Sequence, residues 1–221
     1  MKIKYDCQNF NPNNLSRHNI NRMVVDSVNP DSFVLDLGCA TGFMGEYLIK
    51  KKNCDVLGVD ISKEGISLAK KRLTSVLIGD IEDPKTFREI EMVSKHNKFD
   101  VVMAVSVLEH LKDPQLVLIN IKSLLKKDGL FIITCPNIAH WTTRTSLLKG
   151  NFNYTDYGIL DKTHLHFYTP KTLKELIENT GFKIKEFKID AEGGGYPRVS
   201  LVLSHFFPNF FTYQMMVIAG F

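Results

Sequence analysis

The sequence predicts an α/β chain whose strands run parallel with helices on both faces, and three observations carry that prediction. Short apolar runs of strand length recur at 33–37, 55–60, 75–79, 98–105 and 129–135. Helix-forming stretches at 43–52, 63–72, 84–95 and 114–127 separate them, and such alternation gives parallel pairing in a doubly wound sheet. The first apolar run, Phe33-Val-Leu-Asp-Leu-Gly-Cys-Ala-Thr-Gly42, passes straight into a glycine-bounded turn and then a helix. Glycine there lets the backbone pass close to a ligand, and the helix aims its unpaired N–H groups at the same place.

Ahead of that turn, residues 12–28 read as an amphipathic helix carrying Leu15, Ile20, Met23, Val24 and Val28 on one face,. It leads through Asn29-Pro30 into the first strand. The turn lacks the G-x-G-x-x-G spacing of a dinucleotide site, because Ala40 stands at the second glycine position and no third glycine follows,. The second run, Asp55-Val-Leu-Gly-Val-Asp60, ends in an acid about 20 residues past the turn, where a doubly wound fold places a ribose-binding carboxylate,. The third, Ser75-Val-Leu-Ile-Gly-Asp80, also ends in an acid, with Ile81 after it. The fourth runs from Phe99 through Val105 and Ser106 to Glu109-His110, and the fifth from Leu124 through Gly129 to Pro136. One strand-end aspartate usually caps the next turn. Three on successive strands converge on the crevice at the carboxyl ends of an open sheet.

The D-x-G-x-x-x-G form of Asp36, Gly38 and Gly42 resembles motif I of the class I S-adenosylmethionine-dependent methyltransferases, and the four later runs resemble that family's subsequent motifs in order. The resemblance implies S-adenosylmethionine as cofactor and a Rossmann-like, seven-stranded, mostly parallel sheet with the last strand antiparallel. It implies that Asp36, Gly38, Cys39, Ala40, Thr41 and Gly42 form the turn beside the cofactor, that Asp60 with Ile61 holds the ribose, and that Asp80 with Ile81 reads adenine. Val105, Ser106 and His110 would line the same pocket. A binding module that has kept the pocket but lost turnover is the rival reading, and a nucleotide-dependent oxidoreductase is disfavoured by the missing glycines.

A chain of 221 residues without linker, repeat or low-complexity tract reads as one domain,. Its parts are a helical cover at 1–30, a cofactor-binding core at 31–137, an acceptor-side insert at 138–169, and a C-terminal helix and strands at 170–221. The net charge of +4 is modest, and its lysines cluster at expected helix ends. That argues against nucleic acid as a partner. Cys7, Cys39, Cys54 and Cys135 form no C-x-x-C pair, and Met1 to Asn14 is polar without an apolar core. Both features point to a reduced, cytoplasmic protein.

Past Pro136 the pattern changes. The insert Asn137-Ile-Ala-His-Trp through Gly158-Ile-Leu-Asp-Lys-Thr-His-Leu-His-Phe-Tyr-Thr169 is dense in polar and aromatic side chains just after the fifth strand. It resembles a subgroup of these methyltransferases associated with surface-polysaccharide or lipid-linked sugar synthesis, related more widely to the quinone-pathway enzymes. That implies a small-molecule or sugar acceptor. Methyl transfer needs an acceptor held close to the donor and a base for its proton. His164 and His166 suit that base; on an extended segment both face one side, with Asp161 orienting one of them. The same segment also reads as a structural clamp, with Asp161 and Thr163 capping a turn and the histidines bonded to backbone. A metal site of Asp161, His164 and His166 is a third reading; the adopted one has no metal.

A helix from Pro170 to Thr180, closed by Gly181, precedes an alternating strand from Phe182 to Ile189,. The tail from Val199 to Phe221 has no charged residue and spans nearly a membrane thickness, but His205, Pro208, Asn209 and Gln214 interrupt it,. A short helix and a buried last strand from Gln214 to Ala219 are expected. The Phe206-Phe-Pro-Asn-Phe-Phe211 patch is left open as a surface for peripheral membrane contact.

Overall fold

In this computed structural model the described residues are 6–192, 197–204 and 206–221. The apolar runs form β1 (Phe33–Leu37), β2 (Asp55–Asp60), β3 (Ser75–Ile78), β4 (Phe99–Val105), β5 (Leu125–Pro136), β6 (Lys183–Asp190) and β7 (Gln214–Gly220). They make one seven-stranded sheet ordered β3-β2-β1-β4-β5-β7-β6. The first five strands pair in parallel, and β7 lies antiparallel between β5 and β6. The strand order reverses beside β1, which opens a ligand crevice at the carboxyl ends of β1 and β4.

The helices are α1 (Ile20–Asp26), α2 (Phe43–Lys52), α3 (Lys63–Ala69), α4 (Pro84–Val93), α5 (Pro114–Leu124), α6 (Trp141–Leu148), α7 (Pro170–Asn179), α8 (Pro197–Ser204) and α9 (Pro208–Phe211). Both faces of the central strands are covered, which is why those strands read as continuous apolar runs rather than as alternation. Val24, Leu48 and Ile66 of α1, α2 and α3 cluster with Val34, Val56, Val101 and Met103. Ile90, Leu118, Ile121, Leu173 and Ile177 of α4, α5 and α7 cluster with Leu35, Leu57, Val102 and Phe131. Each such fully buried side chain is worth roughly 1.5–3 kcal/mol.

Three local expectations are corrected. The single helix expected over 12–28 is a 3₁₀ turn at Pro12–Asn14 followed by α1. Asn11 and Asn19 each start a new segment by accepting a backbone N–H, from Asn13 and Asn21,. The Ile20 N–H is then drawn to Asp190 Oδ2 at 3.1 Å, which ties α1 to the end of β6. The helix expected to reach residue 127 stops at Leu124, because Leu125 turns extended, buries its side chain and pairs with Phe99 across the sheet. The insert, for which no helix was expected, contains α6, capped by His140 and followed by Gly150 at φ 77°. The charge-poor tail holds the expected last strand, with Met215, Met216, Val217 and Ile218 buried in β7. His205 lies outside the described residues.

Candidate active site

The turn after β1 is built from left-handed backbone. Gly38, Ala40 and Gly42 take φ values of 70°, 48° and 75°. Gly38 N and Cys39 N donate to Val59 O at 2.8 and 3.1 Å, and Gly42 N closes the turn on Cys39 O at 2.8 Å. A left-handed alanine costs roughly 1–2 kcal/mol. Ala40 N donates to Asp60 Oδ2 at 2.7 Å, a charge-assisted bond that offsets this strain,. Asp60 Oδ1 accepts from Ser62 N at 2.8 Å. Each carboxylate oxygen keeps a second lone pair, so Asp60 has the capacity to take two hydroxyls as well. A side chain at Gly38 would bring its Cβ to 2.5 Å from Val107 Cγ2, so the turn after β4 packs directly against the turn after β1.

Burial, and then the charge of Asp60, push the Asp36 carboxyl up to about 7. Burial likewise raises the Cys39 thiol, which leaves it a packing residue rather than a nucleophile,. Thr41 is buried and donates through Oγ1 to Asp6 Oδ1 at 2.8 Å, while Arg72 Nη1 reaches Asp6 Oδ1, Thr41 O and Thr41 Oγ1 at 2.9, 3.1 and 3.0 Å. The bond from Arg72 holds the Asp6 carboxyl below the usual range. This brace on the outside of the turn has no signal in the sequence, since Asp6 and Arg72 lie 66 residues apart. Asp80 is exposed and accepts from Glu82 N at 2.9 Å, Ile81 is buried, and Ile61 is 68% exposed. Val105 ends β4, and Ser106 turns at φ 54° with its N–H shared between Thr134 O and Oγ1.

The insert is fastened to the segment after β4, chiefly through the backbone of Glu109. Glu109 O accepts from Leu165 N at 2.7 Å and from His166 N at 3.1 Å. The segment before them is the turn of the clamp reading rather than the extended run, because Asp161 Oδ1 accepts from Thr163 N and Oγ1 at 2.9 and 2.7 Å and His164 N closes on Asp161 O at 3.0 Å. Short acidic side chains win backbone donors in this way. Same-side alternation therefore does not apply here. His164 is buried with its ring 4.8 Å from that of His110, whereas His166 is partly exposed and stacks on Tyr168 at 6.3 Å.

All three histidines place one ring nitrogen on a backbone carbonyl. His110 Nδ1 lies 3.1 Å from Thr163 O, His164 Nδ1 3.0 Å from Ile159 O, and His166 Nε2 3.2 Å from Lys112 O. A carbonyl accepts only from N–H, so in the neutral rings the opposite nitrogen carries the lone pair. Glu109 is the residue the sequence reading left without a role. The residue is 1% exposed, Oε2 accepts from Cys135 Sγ at 3.6 Å, and Oε1 has no partner among the described residues. Burial pushes its pKa up to about 8. Among the described residues Glu109, His110 and His164 bring one ligand atom each within 4.8 Å of one another. That set differs from the Asp161, His164 and His166 grouping considered from sequence. The adjacent Glu-His pair after an apolar strand was the available signal.

A family model described as a methyltransferase domain matches residues 10–186. The chain belongs to that methyltransferase family. A ubiquinone biosynthesis O-methyltransferase of Actinobacillus pleuropneumoniae is 34% identical over 110 residues, covering 47% of this chain and 45% of that protein. One of the same name from Coxiella burnetii is 27% identical over 154 residues, 68% of this chain and 63% of that protein. The methyltransferase thus spans between 45% and 63% of the length of these relatives. Among solved structures it resembles a SAM-dependent methyltransferase from Archaeoglobus fulgidus (TM-score 0.63, 21% identity, 90% of each chain). It also resembles the magnesium protoporphyrin IX methyltransferase of Synechocystis (TM-score 0.64, 16% identity, 97% of this chain and 90% of that one). Both likenesses concern the fold. S-adenosylmethionine is the cofactor of this class, and the left-handed turn, the Gly38 cradle and the lone-pair capacity of Asp60 fit it.

Proposed function

We propose that this chain is an O-methyltransferase acting on the hydroxyl of a small sugar or lipid-linked sugar, with Asp36 to Gly42, Asp60, Ile61, Asp80, Ile81, Val105, Ser106 and His110 around the cofactor. When bound, S-adenosylmethionine supplies a methyl group already activated on sulfur. The chain's residues then need only place the acceptor and take its proton. The single observation that carries the reading is that the insert bonds to Glu109, two residues after the Val107 that packs on Gly38, which supports the insert as the acceptor side of the turn. Relatives named as O-methyltransferases support oxygen as the acceptor atom.

Within this reading His166 is the base. It is partly exposed, it keeps Nδ1 for the proton, and it can pass that proton to solvent. Asp161 and His164 are positioning residues, the one capping the turn and the other buried against His110. An acceptor panel of sugars, lipid-linked sugars and phenols, followed by S-adenosylhomocysteine release, tests the assignment. His166→Ala is expected to lose roughly 10²–10⁴-fold in turnover while binding S-adenosylmethionine normally. Near-normal turnover in that variant would remove His166 from the role. A membrane-presented acceptor suits the aromatic surface at α8 and α9, where Phe206 and Phe207 are 74% and 62% exposed. Among the described residues no helix is long and apolar enough to cross a membrane.

A further inference from the structure

We propose that Glu109, His110 and His164 form a binding site for a divalent transition-metal cation of the zinc class. Three features converge on it. First, one ligand atom from each residue lies within 4.8 Å of the others. Donors around a four-coordinate zinc, at about 2.0–2.2 Å from the ion, stand roughly 3.4 Å apart, so small side-chain rotations close the set. Second, His110 and His164 both direct Nδ1 at a backbone carbonyl, Thr163 O and Ile159 O. That is the outer-shell arrangement that fixes a metal-binding imidazole and presents Nε2 as the ligand. Thr163 Oγ1 adds a second contact to His110 Nδ1 at 3.2 Å. Third, Glu109 Oε1 is buried without a partner among the described residues. A buried carboxylate oxygen left unpaired is costly, and a cation would remove that cost.

Ligand chemistry sets the class of ion. Two imidazoles and one carboxylate are a borderline set suited to zinc and its neighbours, whereas calcium and magnesium prefer oxygen alone. Cys135 Sγ meets Glu109 only through Oε2 and belongs to the shell outside the ligands. Three protein ligands leave one position of a four-coordinate ion for water or for an acceptor oxygen. A role for the ion in polarising an acceptor hydroxyl rests on the function proposed above; the binding site itself does not.

The test uses the full chain, stripped with a chelator and titrated calorimetrically with zinc alone, then with cobalt as a spectroscopic probe. One zinc per chain is expected, together with the visible absorption of four-coordinate cobalt. Glu109→Gln and His164→Ala are expected to weaken zinc binding roughly a hundredfold or more, beyond the loss typical of an outer-shell change, while His166→Ala keeps it. The more exposed His110→Ala provides the same readout if a change at a buried position disturbs folding, which circular dichroism reports. Absence of stoichiometric zinc binding, or binding indifferent to the Glu109→Gln and His110→Ala changes, overturns the proposal. Zinc binding with no turnover on any hydroxylated acceptor would instead count against the proposed function and leave the site standing.

Discussion

Asp60 shows how one side chain can serve fold and ligand together. It holds the backbone of Ala40 and Ser62 and keeps two lone pairs beyond them. Asp60→Ala is expected to weaken S-adenosylmethionine binding by roughly 2–4 kcal/mol, the loss of a pair of charge-assisted bonds; calorimetry reads this directly, and unchanged affinity would reassign the ribose site. Asp36 gives a pH dependence of definite sign. Its folded pKa of about 7 lies above the ordinary 3.8, so between these values the folded chain binds more protons than the unfolded one, and stability falls as pH rises through that window. Unfolding curves of the cofactor-free protein from pH 4 to 7 are expected to show this decline, on the order of 2–4 kcal/mol in total. Asp36→Asn should make the decline shallower without abolishing it, because burial also raises Glu109, to about 8, and adds a slope of the same sign; an equally steep slope in that variant would place the responsible group elsewhere.

At the scale of elements, β7 carries the most consequence. It is the last strand in the chain but lies inside the sheet, paired with β5 through Phe131 to Pro136 and with β6 through Lys183 to Asp190. Deleting residues 212–221 would detach β6, expose the edge of β5 and open the core around Phe131. The truncated chain is expected to aggregate or lose cooperative unfolding, as size-exclusion chromatography and thermal melts would show. A soluble, cooperatively folding truncation would mean that β7 contributes little to the core. The end of β6 also fixes the start of α1 through the bond from Ile20 N to Asp190 Oδ2, so loss of β7 should loosen the N-terminal cover as well.

For the whole molecule, the exposed Phe206, Phe207 and Phe210, with the Arg144 guanidinium 5.7 Å over the last ring, give one surface an aromatic and cationic character. Co-sedimentation with anionic vesicles is expected to fall when Phe206 and Phe207 are both changed to serine, with the melting temperature unaltered; equal sedimentation of the two proteins would leave this surface without a membrane role. The sequence by itself determined the alternation of strand and helix, the glycine turn, the three strand-end acids and the final buried strand, because period, turn chemistry and apolar runs are local and repeat along the chain. It did not show the break in the first helix, the helix within the insert, or the brace of Asp6 and Arg72 on Thr41. Nor did it choose between the extended run and the turn capped by Asp161 and Thr163, both of which it offered; the turn separates His164 from His166 and carries His164 to Glu109 and His110. The brace and the approach of His164 to Glu109 and His110 join residues tens of positions apart, while the short side-chain caps that break the first helix and turn the insert compete with other local options. Only tertiary packing decides between them.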